Sequence, residues 1–314
     1  GKVPRTPWTL DNTSASATPW RFVRSRVLRL VPAALVCATI TLAVSTMIPS
    51  MREGLFARYV ASVTFDPFGP WVDNVYWTLG IELSFYALTL AALAIRRLAW
   101  LEPAMIAIGL VSAAPSLLRA LPFVRYALPM PALDARTHEL LLLDHGAYFA
   151  IGVILWRGFF DRWTAWRIGA LVLCTAGGAL EIYYGVPAVL RAMTSTPRML
   201  LAAIVWLLSV AAIAASIRFD EAIRQRLGPR ALRLIRLAGL STYPLYLLHD
   251  VVGAAMLRAL VVAGVQQYLA LALACAGMAG LSVAVTAIAE PVIRAGLAAV
   301  LDRWPRARAE AASA

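Results

Sequence analysis

The chain has 314 residues, of which 61% are hydrophobic and only 15% charged, and its mean hydropathy is +0.73. A soluble domain of this size needs far more charge to cover its surface, so the composition describes an integral membrane protein. The net charge of +12 is scattered between apolar runs rather than gathered in a patch or stripe, which excludes nucleic acid as a partner and assigns the basic residues to membrane topology.

Eight runs are apolar and long enough, or nearly so, to cross a bilayer, which predicts an all-α, polytopic transmembrane helical bundle. In chain order they are 27–48, 75–95, 104–121, 140–156, 168–184, 199–217, 237–260 and 268–289. The fourth is the weakest, because Asp144 and His145 interrupt it. A polar loop over 1–20 precedes the transmembrane domain at 21–303, and a cytoplasmic tail follows at 304–314. With the N-terminus inside, 21 of the 29 Lys and Arg residues fall on the cytoplasmic side, an excess that orients both ends inward. Cys37, Cys174 and Cys275 lie in apolar runs without metal-ligand spacing and read as small buried hydrophobes, not a disulfide framework. The outer loop 49–74 reads either as a cap on an outward-facing cavity or as a plain connector.

Three stretches carry candidate chemistry. The first run opens at Phe22 with Arg26 and Arg29 on one helical face. Arginine offers a planar fork of donors suited to phosphate, and snorkelling at the membrane edge is the plainer alternative. Glu82 lies inside the second run, where an acid costs several kcal/mol unless paired, hydrated or functional. Helical spacing sets Phe85 and Tyr86 on its face, and Trp77 precedes it. The seventh run gathers Ser241, Thr242, Tyr243, Tyr246, His249 and Asp250. His249 is suited to act as a base or proton shuttle, or to make an interhelical hydrogen bond, and Pro244 frees a backbone carbonyl nearby. Counting rise along straight helices puts Glu82 and His249 at nearly one depth. They are therefore expected to line one midplane cavity with Trp77, Tyr86, Ser241, Tyr243 and Tyr246. No pair of histidines has metal-ligand spacing, and there is no phosphate-cradling glycine loop and no nucleophile elbow.

Taken in order, these stretches resemble the acyltransferase-3 family of bacterial membrane acyltransferases. Phe22 through Pro32 is similar to its phenylalanine, arginine-x-x-arginine, proline signature. Trp77 through Tyr86 resembles its Trp-Ser-Leu-x-x-Glu-x-x-Phe-Tyr pattern. Leu237 to His249 resembles its Gly-x-x-Ser-Tyr-x-Leu-Tyr-Leu-x-His segment, and Glu290-Pro291 a shortened form of its closing element.

The resemblance implies a reaction at the bacterial inner membrane. An acyl group, often acetyl, passes from cytoplasmic acyl-CoA (acetyl-CoA) to a hydroxyl of an extracytoplasmic saccharide, lipid-linked glycan or related envelope molecule. Acyl-CoA is then a donor substrate, and no cofactor is bound permanently. On this reading Arg26 and Arg29 contact the phosphates of coenzyme A, while Glu82 and His249 orient groups or relay protons. Family members have about ten spans, and the first carries a histidine taken as the catalytic base. Residues before Trp20 hold neither an apolar run nor a histidine, so a chain starting at this point is expected to be inactive. A transporter or flippase of an anionic lipid or sugar also needs midplane polar residues. A non-catalytic remnant is the third reading.

Overall fold

The structure, a computed structural model, describes residues 18–121, 134–184 and 196–313. The polar stretch 1–20 therefore falls almost wholly outside the described residues, as do the side chains past residue 303. The apolar runs become helices because backbone in lipid must satisfy its N–H and C=O groups within its own segment. No strand occurs among the described residues.

The helices are α1 (Pro19–Thr46), α2 (Leu55–Val63), α3 (Trp77–Ala94), α4 (Leu101–Arg119), α5 (Ala135–Leu140) and α6 (Gly146–Phe160). They continue as α7 (Ala165–Tyr184), α8 (Thr196–Arg218), α9 (Asp220–Arg226), α10 (Pro229–Leu248), α11 (Val251–Val262), α12 (Gln267–Ala284) and α13 (Glu290–Ser313). A π-helical turn, Val285–Ala289, joins α12 to α13 in one long rod.

Among the described residues, six helical stretches are long and apolar enough to cross a membrane: Pro19–Thr46, Asn74–Ala94, Leu98–Arg119, Ala165–Tyr184, Arg198–Arg218 and Gln267–Arg303. The pair α10 and α11, bent by 76°, makes a seventh if counted as one span. All eight predicted runs are thus helical, with two corrections. The seventh run is not one rod but two arms. The fourth is α6, with 15 residues, so about 22 Å long. It is shorter because turns occupy 141–145, and Leu142 there takes the left-handed backbone conformation (φ 61°).

The chain folds as two compact units: Ile81–Arg226, and Pro19–Gly80 together with Leu227–Ala314. In the first unit α4, α6 and α7 pack on one another and α8 packs on α7. Small residues let these backbones approach, as they do where lipid supplies no hydrophobic drive. A Cβ at Gly109 would sit 2.4 Å from the Ala150 methyl, and one at Gly177 2.4 Å from that of Ala113. One end of the unit is tied by charge. Glu102, 8% exposed, accepts from Arg157 Nε at 2.9 Å and from Arg167 Nε and Nη2 at 2.5 and 2.9 Å. Arg167, 4% exposed, also reaches Asp161 at 3.2 Å.

In the second unit α1 packs against α2, α10, α11 and α13, and α12 packs on α10 and α11. Arg24 holds Asp302 through two bonds of 2.8 and 3.0 Å. Arg294 pairs with the buried Glu290 and donates to the Leu28 carbonyl at 3.1 Å, pinning α13 to the first turns of α1. Cys37 and Cys174 are buried as expected, but Cys275 is exposed on the surface of α12, a correction to its reading as a core residue.

Candidate functional site

The loop between the first two spans is folded rather than a bare connector. Ser62 on α2 donates to the Arg58 carbonyl at 2.9 Å and accepts from the Val72 N–H at 2.8 Å, so the loop closes back on its own helix. Trp71 donates its indole N–H to the Asp66 carbonyl at 2.7 Å. Gly69 beneath it has φ +74°, and a Cβ there would meet the indole at 3.0 Å. The loop and the break between α10 and α11 together form an open pocket of about 600 Å³, within the ~300–1,000 Å³ usual for small-molecule sites. Its walls include Met51, Arg58, Phe68, Trp71, Asp73, Asn74 and Asp250.

Asp73 organises this region. Only 1% exposed, it accepts from the Val75 N–H and from the Val251 N–H, each at 3.1 Å. One carboxylate thereby caps the turn that opens α3 and the first turn of α11. Burial pushes its carboxyl above the ordinary value, with the two N–H bonds opposing, Asp250 adding to the rise and His249 reducing it. A raised value in the fold means the folded chain keeps a proton that the unfolded chain gives up. Stability from this group is then complete below the ordinary carboxylate range and declines as pH rises through the shifted value. Thermal unfolding followed upward from about pH 4 should show the midpoint falling, and Asp73→Asn should flatten the slope. Identical slopes in both proteins would clear Asp73 of the effect.

His249 sits at the break itself, directly after Leu248 ends α10. Its Nδ1 lies 2.8 Å from the Tyr246 carbonyl. That oxygen only accepts, so Nδ1 carries the hydrogen and Nε2 is left as the basic nitrogen of the neutral ring. The imidazole is exposed and 5.7 Å from the Tyr246 ring. Tyr246 is fixed in turn: its hydroxyl donates to the Val75 carbonyl at 3.2 Å and accepts from Thr78 at 3.0 Å. The straight-helix depth count for His249 does not hold, because the break lies beside Asp73, where the second span starts. Of the other residues expected here, Ser241 is buried but spends its hydroxyl on the Leu237 carbonyl of its own helix. Tyr243 and Trp77 are half-buried.

Glu82 belongs to the other unit, and its environment there matches the spacing read from sequence. Tyr86, one turn on, donates its hydroxyl to the Glu82 carboxylate, and Phe85 stacks on Phe149 at 5.0 Å. A second acid–tyrosine pair in that unit, absent from the sequence reading, joins Glu181 to Tyr148 at 2.9 Å.

The arginines of α1 divide by role. Arg24 is committed to Asp302, whereas Arg29 is exposed and half-buried Arg26 lies 5.3 Å over the Phe22 ring. With 28 residues, α1 is about 42 Å long, longer than a ~30 Å hydrocarbon core, so its arginine-bearing end can reach the headgroups. Sequence reasoning missed Arg58, Asp73 and Asn74 because they sit in a loop with no periodicity, and only the density of Pro, Gly and Trp there hinted at structure. Glu102 was missed because the facing arginines were counted only as topology markers.

A family profile described as an acyltransferase domain, Acyl_transf_3, matches residues 13–289. The chain belongs to this acyltransferase family. It is a multi-pass membrane acyltransferase, and the stretches around Arg26, Glu82 and His249 all fall inside the matched span. No curated protein and no solved structure matches the chain.

Proposed function

We propose that this acyltransferase takes an acyl group, best served as acetyl, from acyl-CoA on the cytoplasmic side of a bacterial inner membrane and passes it to a hydroxyl of an envelope saccharide or related molecule outside. The observation that carries the reading is the family match across 13–289, which covers nearly every described span. The charge asymmetry of the loops supports cytoplasmic ends and an inward-facing Arg26 and Arg29. Those arginines would hold the coenzyme A phosphates, as fork-shaped donors do. His249, with Nδ1 tethered and Nε2 available, would carry a proton to or from the reacting oxygen. Glu82, with Tyr86 bonded to it, would orient or relay in its own unit.

The test is transfer of label from radiolabelled acetyl-CoA in membranes that carry the protein expressed from its own gene. Label should appear in an envelope hydroxyl-ester fraction as free coenzyme A is released. Replacing either Arg26 or Arg29 by alanine should raise KM for acetyl-CoA by about 10–100-fold, from ~1.5–3 kcal/mol per lost charged hydrogen bond. Transport of an anionic lipid without any ester formed would overturn the proposal.

A further inference from the structure

The pocket in the loop unit contains polar atoms that the protein leaves unused. Arg58 gives one terminal nitrogen to the Met51 carbonyl, while its Nε is buried with no hydrogen-bond partner. Among the described residues, the side chains of Asn74 and Asp250 make no hydrogen bond or ion pair, although both line the pocket. Asp73, by contrast, spends both oxygens on backbone N–H groups.

These groups narrow the ligand. The lining sets one guanidinium against the carboxyls of Asp250 and Asp73, the latter already bonded to two N–H groups, so it presents donors and acceptors with no surplus of positive charge. A phosphate or carboxylate would meet Asp250. An apolar guest would cover Arg58, Asn74 and Asp250 without pairing them, which is unfavourable for polar groups taken out of water. Hydroxyl groups, each donor and acceptor at once, satisfy both signs. The Trp71 indole, fixed through Asp66 and seated on Gly69, adds a flat apolar plate.

The rim indicates how such a ligand arrives. The pocket lies where the first span ends at Thr46 and the second begins at Asn74, so it stands at a membrane boundary. In the stretch between the two spans Met47, Phe56 and Phe68 are 77%, 72% and 65% exposed, and Phe68 is part of the wall. Large apolar side chains exposed at that level bury themselves in the headgroup–acyl region.

We infer that the pocket binds the uncharged, hydroxyl-rich headgroup of an amphiphile whose chain lies in the adjoining leaflet against Met47 and Phe56. This rests on the acyltransferase reading, and makes the amphiphile the acceptor. The full chain in phosphatidylcholine nanodiscs, without acyl-CoA, should show a raised thermal midpoint when the discs contain monoglucosyl diacylglycerol. Free glucose at the same total concentration should give a much smaller shift. Asp250→Ala with Asn74→Ala should weaken glycolipid binding about tenfold or more while the lipid-free midpoint stays in place. Equal shifts with free glucose would overturn membrane delivery. A shift with phosphatidylglycerol but none with the glycolipid would overturn the headgroup class, and no shift with any probe would overturn the site. Because binding is read without donor, a glycolipid shift alongside failed acyl transfer would count against the proposed reaction alone.

Discussion

Replacing His249 by alanine is expected to lower acyl transfer by about a hundredfold or more, the range for a positioned proton-transfer group. The loss should fall on kcat with KM for acetyl-CoA little changed, because in the proposed reaction the residue moves a proton rather than holds the donor. Added imidazole should restore part of the rate, since the Tyr246 carbonyl that orients the ring remains in place. Tyr246→Phe is the companion variant. It keeps that carbonyl but removes the hydroxyl bonds to Val75 and Thr78, so a milder loss is expected. Unchanged kcat in His249→Ala would remove this histidine from the chemistry.

The second large effect is on stability. Glu102→Ala would leave Arg157 and Arg167 facing each other without their shared carboxylate. Breaking a buried ion pair by removing one partner costs about 3–5 kcal/mol. Arg167 would keep Asp161 and the Arg162 carbonyl, which partly limits the damage. Thermal unfolding in detergent should show the drop, and Glu102→Ala combined with Arg167→Met should be less destabilised than the single variant. A drop under about 1 kcal/mol would mean that the cluster is solvated like a surface pair.

The bundle was legible because lipid permits few solutions. Each apolar run had to close its own hydrogen bonds, and each did. The break in the seventh run was not legible at its true place. Pro244 was the residue that looked disruptive, yet it stays inside α10, and the chain bends after Leu248. The acceptor that supports the break, Asp73, lies 178 positions away in sequence from Val251, so no local pattern could announce it. The same holds for the pocket. Arg58, Asn74 and Asp250 meet only after the loop folds onto α2 and the break. Glu82 with Tyr86 was legible because a helix places residues four apart together without tertiary help.

The short α6 carries a consequence for the surrounding lipid. At about 22 Å it falls below a ~30 Å hydrocarbon core, while α4 and α7 packed beside it have 19 and 20 residues. Such a mismatch is met by drawing the leaflets together locally or by tilting, at fractions of a kcal/mol per ångström. Membranes built from shorter acyl chains are therefore expected to accommodate this helix at lower elastic strain.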